Sequence, residues 1–358
     1  MLELLTIIVL AILIDLIWGE LPTPIHPVVW MGKLIEHLSQ HFLSLKTRTS
    51  GLLLTFTILS IFITLFYLIL LLFSFNLLIY ILIAAVITSS TFAIRGLFKT
   101  ASEVSEALRN DTNRARFLVS YLVSRDTTHL SSEKLTSATV ESLTENINDS
   151  VTAPIFYIIL VYIILAGILA WTRFGTTTVY LSSFTDLNGL FNHILQFKNP
   201  INDLSSFKLV STLAIISGVF YRVINTLDAM VGYKNEKYSL MGWFPAYLDD
   251  ILNYLPSRIT GILVVIAALI SGLDWRKSWK IMKRDARKPP SPNSGFTMAA
   301  AAGALNVRLE KKGVYILGDP KRHLNHEIIE EAIYLTKITI ALFLLAGFIT
   351  LIIFSSLG

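Results

Sequence analysis

The chain has 358 residues, of which 53% are hydrophobic and only 15% are charged, and its mean hydropathy is +0.62. This composition is more apolar than that of soluble domains and indicates a polytopic membrane protein. The absence of cysteine excludes disulfides, thiolate metal sites and cysteine nucleophiles.

Seven hydrophobic segments are candidates for crossing the membrane, which takes about 20 apolar residues per helix. The first is interpreted as a retained span, because no basic residue precedes Lys33 and a secretory signal would need one. The five clear candidates are Leu2–Trp18, Gly51–Phe73, Leu77–Ile94, Ala153–Trp171 and Lys337–Phe354. The two weaker ones are Leu209–Ile224, which contains Arg222, and the short, glycine-interrupted Ile259–Leu273.

Basic residues determine how the polar loops are predicted to lie. Of the 30 basic residues, 12 fall between Asp274 and Glu331, which by the positive-inside rule indicates a cytoplasmic loop rather than a nucleic-acid surface. If all seven segments crossed, this loop would lie opposite the other polar loops. A re-entrant or interfacial segment 259–273 removes the conflict; the alternative is a tilted span over 256–275.

The sequence therefore predicts an all-α polytopic membrane protein with six to seven hydrophobic segments. We expect one membrane domain, 1–358, in the cell membrane. Its polar, catalytic loops are predicted to gather on the cytoplasmic side, at 19–50, 95–152, 225–258 and 274–335.

The stretch ESLTENINDSVTAP, residues 141–154, brings acids to the edge of a predicted span. Glu141, Glu145 and Asp149 are spaced at i, i+4 and i+8, which places three carboxylates on one helical stripe. Because like charges repel, we expect a compensating cation, and Mg²⁺ bridging a phosphate suits a few carboxylates. A solvated acidic helix face is the alternative.

A second acidic constellation spans Tyr221–Tyr238 and Tyr247–Arg258. Asn225 and Asp228 follow a weak span, and Asp249 with Asp250 opens the next segment. Acids at span ends are costly unless they pair or act in function. The stretch is either a second phosphate and metal site or an ion-pair set with nearby basic residues, namely Arg222, Lys234, Lys237 and Arg258.

Two further sites are candidates. Ser291 and Asn293 precede an Ala-rich stretch, 298–305, which is predicted to be a closely packed helix whose N-terminus favours an anion; an ordinary capped turn is the alternative. His26 follows the first span, although a lone histidine is more often structural.

The sequence contains no P-loop, dinucleotide fingerprint or zincin motif, so any nucleotide is bound without a P-loop.

Four long stretches carry a family resemblance: HPVVWMGKLI, SRDTTHLSSEKLTSATVESLTENINDSVTAPIFY, YRVINTLDAMVGYKNEKYSLMGWFPAYLDDILNYLPSRIT and SPNSGFTMAAAAGALNVRL. In this order they resemble the adenosylcobinamide-phosphate synthase family, the CobD/CbiB membrane proteins of cobalamin biosynthesis. One departure is Gly19-Glu20-Leu21-Pro22, where the family's Gly-Asp-Pro is expected.

The resemblance implies a ligase that joins the amine of aminopropanol phosphate, or of ethanolamine phosphate, to a propionate of adenosylcobyric acid. ATP as co-substrate, Mg²⁺ as cofactor and the cobalt corrinoid as substrate are expected with it. The implied partners are these small molecules, the lipid bilayer and other late enzymes of the pathway; no nucleic acid is expected.

Both lines of reasoning give the candidate residues. The metal ligands are predicted to be Glu141, Glu145, Asp149, Asp228, Asp249 and Asp250. Substrate and phosphate are predicted to be bound by Arg125, Asn146, Asn225, Lys234, Arg258, Ser291 and Asn293. The catalytic candidates are Asp126, His26 and Glu145; either of the first two could take the amine proton.

Two other function classes stay open at this point. A Mg²⁺-dependent intramembrane prenyl or alcohol-phosphate transferase would also place acids at cytoplasmic span ends, but it predicts DxxxD motifs that this chain lacks. A membrane transporter would need charges at the bilayer midplane, where Asp15 is the exception among the acids.

Overall fold

The chain folds into helices with one small hairpin, as described by a computed structural model for residues 2–45, 47–183, 200–233 and 236–356. The first eight helices are α1 (Leu2–Trp18), α2 (Pro27–Leu43), α3 (Thr49–Leu72), α4 (Leu77–Ser89), α5 (Ile94–Asn110), α6 (Thr112–Ser120), α7 (Ser132–Ile147) and α8 (Ala153–Ser183). The next six are α9 (Pro200–Val231), α10 (Trp243–Leu252), α11 (Tyr254–Ile270), α12 (Trp275–Asp285), α13 (Gly295–Leu305) and α14 (His326–Ser356). Strands β1 (Arg308–Lys311) and β2 (Tyr315–Gly318) pair antiparallel.

Five helical segments of the described chain are long and apolar enough to cross a membrane, which confirms the all-α polytopic prediction. They are Thr49–Phe75, Leu77–Asn110, Ser132–Trp171, Lys208–Val231 and His326–Phe354. Helix α1, with 17 residues, is slightly too short to be counted with these five. Helices α10 and α11 are bent by 47° against each other, as in a broken span or a re-entrant loop. The re-entrant placement of 259–273 thus stays a prediction.

Beside the apolar bundle, a second hydrophobic cluster lies under the polar loops. It includes Val104 of α5, Leu135 of α7, Leu309 of β1 and Ile329 of α14, all buried. Burying such side chains stabilises the fold by about 1.5–3 kcal/mol each. The cluster therefore fixes α7 and the hairpin against each other, and these are the elements that carry the candidate site.

Helix α13 is the Ala-rich helix that the sequence predicts, and it is almost wholly buried. Its small residues let the backbone of α12 approach: a Cβ added to Gly303 would lie 2.5 Å from the carbonyl oxygen of Lys277. The helix ends at Asn306, whose φ of 59° is left-handed. The predicted close packing of 298–305 is confirmed.

A π-helical turn, Asn148–Thr152, joins α7 to α8 in one continuous rod. Pro154 has no N–H, so the carbonyl of Ser150, four residues earlier, loses its usual helical partner. The Ser150 oxygen instead accepts the backbone N–H of Ala93 at 3.0 Å. A break in the helical hydrogen-bond ladder thus lies next to the acidic stretch. Such π-helical turns are frequent at functional sites.

The predicted sidedness can be tested directly, since the chain has no native cysteine. A single cysteine introduced at position 311, in β1, is expected to react with a membrane-impermeant maleimide only from the cytoplasmic side, because of the surrounding basic residues. Whole cells and inverted vesicles are compared, with a cysteine at Ser74, beside the end of α3, as a reference. Labelling of position 311 from outside would contradict the re-entrant arrangement.

Candidate functional site

A cavity of about 320 Å³ lies where α7 meets the π-turn. Glu141, Glu145 and Asp149, the predicted carboxylate stripe, all line it, together with Asn146. Basic and hydroxyl groups on the facing walls come from other elements: Arg125, Tyr233, Lys311 and Tyr315. The acidic helix face is therefore turned toward a lined cavity, and the alternative of a freely solvated face does not describe it.

Glu141 is buried and held by its neighbours. Its Oε1 accepts the hydroxyl of Ser137 at 2.6 Å, and its Oε2 accepts the hydroxyl of Tyr315 at 2.8 Å. The guanidinium of Arg125 lies 3.5 Å from the same Oε2. Burial, and then the charge of Glu141, raises the pKa of Tyr315, so this phenol stays protonated and donates. Glu141 thus holds Tyr315 and Arg125 in place on the cavity wall.

Glu145 is the contrasting carboxylate of the stripe. It lines the same cavity, and its side chain has no hydrogen bond or ion pair with any residue that the structure describes. The charges that act on it include Asp149, which repels a second negative charge, and Lys311, which attracts it. Because its oxygens are not used by the fold, Glu145 is the carboxylate most able to bind a ligand or accept a proton.

A buried relay of amides connects the two predicted acidic constellations. The Nδ2 group of Asn148 donates to Asp149 Oδ1 and to Asn253 Oδ1, each at 2.8 Å. The Nδ2 group of Asn253 donates to Asp249 Oδ2 at 2.9 Å, and Asn225 Nδ2 reaches Asp249 Oδ1 at 3.3 Å. Stretches about a hundred residues apart in sequence thus form one polar network.

The sequence did not identify Asn148 and Asn253, which join these constellations. Both are buried, at 3% and 2% exposure, and buried amides must find partners. The signal was present: Asn148 precedes Asp149, and Asn253 follows Asp249 by one helical turn. Asp228, also predicted, lies close enough for its charge to act on both Glu145 and Asp249.

A third group attaches the loop after α12 to this network. Ser291 Oγ donates to Asp250 Oδ1 at 3.2 Å, and Asn293 Nδ2 donates to the carbonyl of Asp250 at 2.7 Å. Arg258 Nη1 donates to Asn293 Oδ1 at 2.9 Å. The guanidinium of Arg258 also lies 3.5 Å from the ring centre of Tyr254. The predicted residues are brought together here, held by contacts within the fold.

The other predicted residues lie apart from the cavity. Asp126 accepts the N–H and hydroxyl of Thr128 at 2.9 and 2.7 Å, and these bonds lower its pKa. His26 Nδ1 accepts the N–H of Val28 at the start of α2, and burial lowers its pKa. Neither side chain lines the cavity. Lys234 lies outside the described residues.

The carboxylates do not form a closed protein cage for a metal. Among the residues described, no group of three or more histidine, aspartate or glutamate side chains is arranged to hold an ion. Mg²⁺ usually uses one or two carboxylates and completes its shell with water and phosphate oxygens. Glu145 and Asp149, which share the cavity, are the pair that suits such a partial site.

Comparison with known proteins gives one consistent result. The family model described as CobD/Cbib protein matches residues 8–179 and 204–344. The chain is 44% identical to a probable cobalamin biosynthesis protein CobD of Methanothermobacter thermautotrophicus, over 96% of both chains. It is 38% identical to a protein of the same name from Methanocaldococcus jannaschii, over 88% of both chains.

A third relative gives the same result. The cobalamin biosynthesis protein CobD of Dehalococcoides mccartyi is 32% identical over 90% of this chain and 89% of its own length. No solved structure matches the chain. The helical membrane architecture and matches across nearly the whole chain lead to one conclusion: the protein belongs to the CobD/CbiB family and has a role in cobalamin biosynthesis.

Proposed function

We propose that the protein is an adenosylcobinamide-phosphate synthase. In this reaction the amine of (R)-1-amino-2-propanol phosphate, or of ethanolamine phosphate, forms an amide with a propionate carboxylate of adenosylcobyric acid. ATP activates the carboxylate, for example as an acyl phosphate, and phosphate leaves when the amine nitrogen attacks the acyl carbon. The nitrogen loses a proton in the process, so the site must also supply a base.

One observation carries the proposal beyond family membership: the carboxylate stripe and basic side chains share one cavity. Amide formation from an acyl phosphate collects several negative charges in one place, and these must be neutralised. Arg125 and Lys311 supply positive charge on the cavity wall. Glu145, whose oxygens are not used by the described fold, is suited to bind the substrate ammonium or to accept its proton.

A divalent ion would supply charge neutralisation to the phosphoryl groups. Glu145 and Asp149 would hold it, together with phosphate oxygens. This chain's other residues act around that pair: Glu141 orients Arg125 and Tyr315, and Asn148 orients Asp149. Asp126 and His26 stay candidates for the base, at positions outside the cavity lining.

The test is direct detection of product. Purified, detergent-solubilised protein is given adenosylcobyric acid, aminopropanol phosphate, ATP and Mg²⁺, with each component omitted in turn, and adenosylcobinamide phosphate is measured by mass spectrometry. Product that depends on every component would support the ligase. Folded protein that yields no product with the full mixture, while still binding the corrinoid, would argue for a different step of the pathway.

The phosphate of the amine is expected to matter for turnover. Unphosphorylated aminopropanol should be used at least about a hundredfold less well, because it forgoes charge-assisted hydrogen bonds of about 1.5–3 kcal/mol each. Steady-state kcat/KM for the two amines is the measurement, with ethanolamine phosphate as a further phosphorylated comparison. Equal kcat/KM for aminopropanol and its phosphate would contradict phosphate recognition.

A further inference from the structure

A second cavity, the basic groove, lies between the hairpin and the N-terminal half of α7. It is larger than the carboxylate cavity, at about 440 Å³, within the range of small-molecule sites. Six arginine and lysine side chains line it against two glutamates: the basic residues are Arg125, Lys134, Arg308, Lys311, Lys312 and Arg322. The three arginines are ion-paired, with Glu141, Glu310 and Glu331 respectively. The three lysines leave the groove with a net positive charge, and an anion would be attracted to it.

Several of these cationic side chains have donor atoms that no described residue accepts. The Nε atoms of Arg125 and Arg308 are buried and make no hydrogen bond in the described part of the chain. The ammonium groups of Lys134, Lys311 and Lys312 likewise have no ion pair or hydrogen bond to any described residue. Buried donors without acceptors are costly and rare in native proteins. The three lysine ammonium groups, which come from α7 and the hairpin, therefore line one space without a described partner.

The remaining wall of the groove is apolar. Leu130, Val314, Pro320 and Leu324 supply it. A ligand that fits both walls carries several negative charges at one end and a less polar body at the other. A phosphorylated small molecule has this character, and a nucleoside polyphosphate has it most fully because it combines a charged chain with a flat, weakly polar base.

The groove and the carboxylate cavity share a wall. Arg125 and Lys311 line both spaces. Ser137 also joins them: its hydroxyl donates to Glu141 at 2.6 Å and accepts the backbone N–H of Glu310 in β1 at 2.9 Å. A ligand in the groove would thus contact the same cations that face Glu145.

We infer that the basic groove binds the phosphoryl groups of a co-substrate and presents them, across Arg125 and Lys311, to the carboxylate cavity. ATP and the aminoalcohol phosphate share this chemistry, and the net positive charge and apolar wall favour ATP. The choice of these two ligands rests on the proposed function; the existence of a phosphoryl site does not.

Binding to the full-length, detergent-solubilised protein tests the inference. The groove variant Lys134→Gln/Lys312→Gln removes two unpaired ammonium groups that lie outside the carboxylate cavity. Its matched control, Lys280→Gln/Lys283→Gln, removes two exposed lysines of α12. Calorimetric titrations with ATP and with aminopropanol phosphate are run on wild type and both variants. Arg308→Gln is a second groove variant; it removes a guanidinium whose Nη2 donates to Glu310 and whose buried Nε has no described acceptor.

We expect the groove variants to weaken ATP binding about tenfold or more, with the α12 control within about twofold of wild type. The salt dependence of the Kd should also become shallower. A loss confined to aminopropanol phosphate would support the phosphoryl site and identify that ester as its ligand. Unchanged affinity for both ligands in both groove variants, or equal losses in the α12 control, would overturn the inference.

The product assay separates the two proposals. If wild-type protein binds ATP through the groove but forms no adenosylcobinamide phosphate, the proposed function fails and the groove assignment stands. If product forms and the groove variants bind both phosphates as wild type does, the assignment fails and the function stands.

Discussion

Replacing Glu145 with glutamine is expected to lower product formation at least about a hundredfold while the folded protein stays in the membrane. The amide keeps the size and shape of the side chain but removes its negative charge and its ability to take a proton. Because Glu145 makes no described contact that the fold needs, its loss should cost little stability. Single-turnover product formation is the measurement, with membrane content and melting temperature as checks on folding.

Glu36→Gln, on the exposed side of α2, is the matched control and should retain full activity. A Glu145→Gln enzyme with wild-type turnover would remove Glu145 from both the metal pair and the candidate bases. Loss of activity together with loss of folded protein would instead assign Glu145 a structural role.

Replacing Asn253 with alanine is the second change with a large expected effect. It removes the acceptor of the Tyr221 hydroxyl and of Asn148, and the donor to Asp249. A buried polar group left unsatisfied costs about 1–3 kcal/mol, so three orphaned partners should lower stability by several kcal/mol. Activity should fall too, since Asn148 would lose one of the contacts that position it beside Asp149. Thermal melting in detergent and the product assay report the two effects.

Asn110→Ala is the control for Asn253→Ala, because Asn110 is exposed at the end of α5. We expect its melting temperature to be unchanged. If Asn253→Ala melts and turns over like wild type, the relay between the acidic constellations does not matter for either property.

The helical membrane class could be read from the sequence because long apolar stretches leave few alternatives in lipid. The stripe of Glu141, Glu145 and Asp149 was also predictable, since helical spacing places residues four apart on one face. Their orientation toward a cavity was not, because it depends on packing between α7 and the hairpin. The predicted metal set stays a prediction: Glu141 and Asp249 make several hydrogen bonds within the protein.

Two parts of the site depend on contacts that no local pattern encodes. Asn148 and Asn253 pair across 105 positions of sequence. The basic groove likewise combines Arg125 and Lys134 with side chains of the hairpin, such as Lys312. From the sequence alone, the residues of the hairpin are predicted only to be part of a basic cytoplasmic loop. Its role as a cavity wall follows from the buried contacts of Leu309 and Leu317, which only the fold reveals.

The π-turn before Pro154 has a mechanical consequence for the enzyme. Helices α7 and α8 form one rod, and each residue of a helix turns the chain by about 100°. An additional residue accommodated in that turn therefore sets the angle between the lipid-embedded half of the rod and the half that carries the acids. The hydrogen bond from the Ala93 N–H to the Ser150 carbonyl fixes this angle relative to the neighbouring helices α4 and α5. Insertions or deletions on either side of the π-turn would rotate Glu145 away from its cavity without changing any residue that lines the cavity.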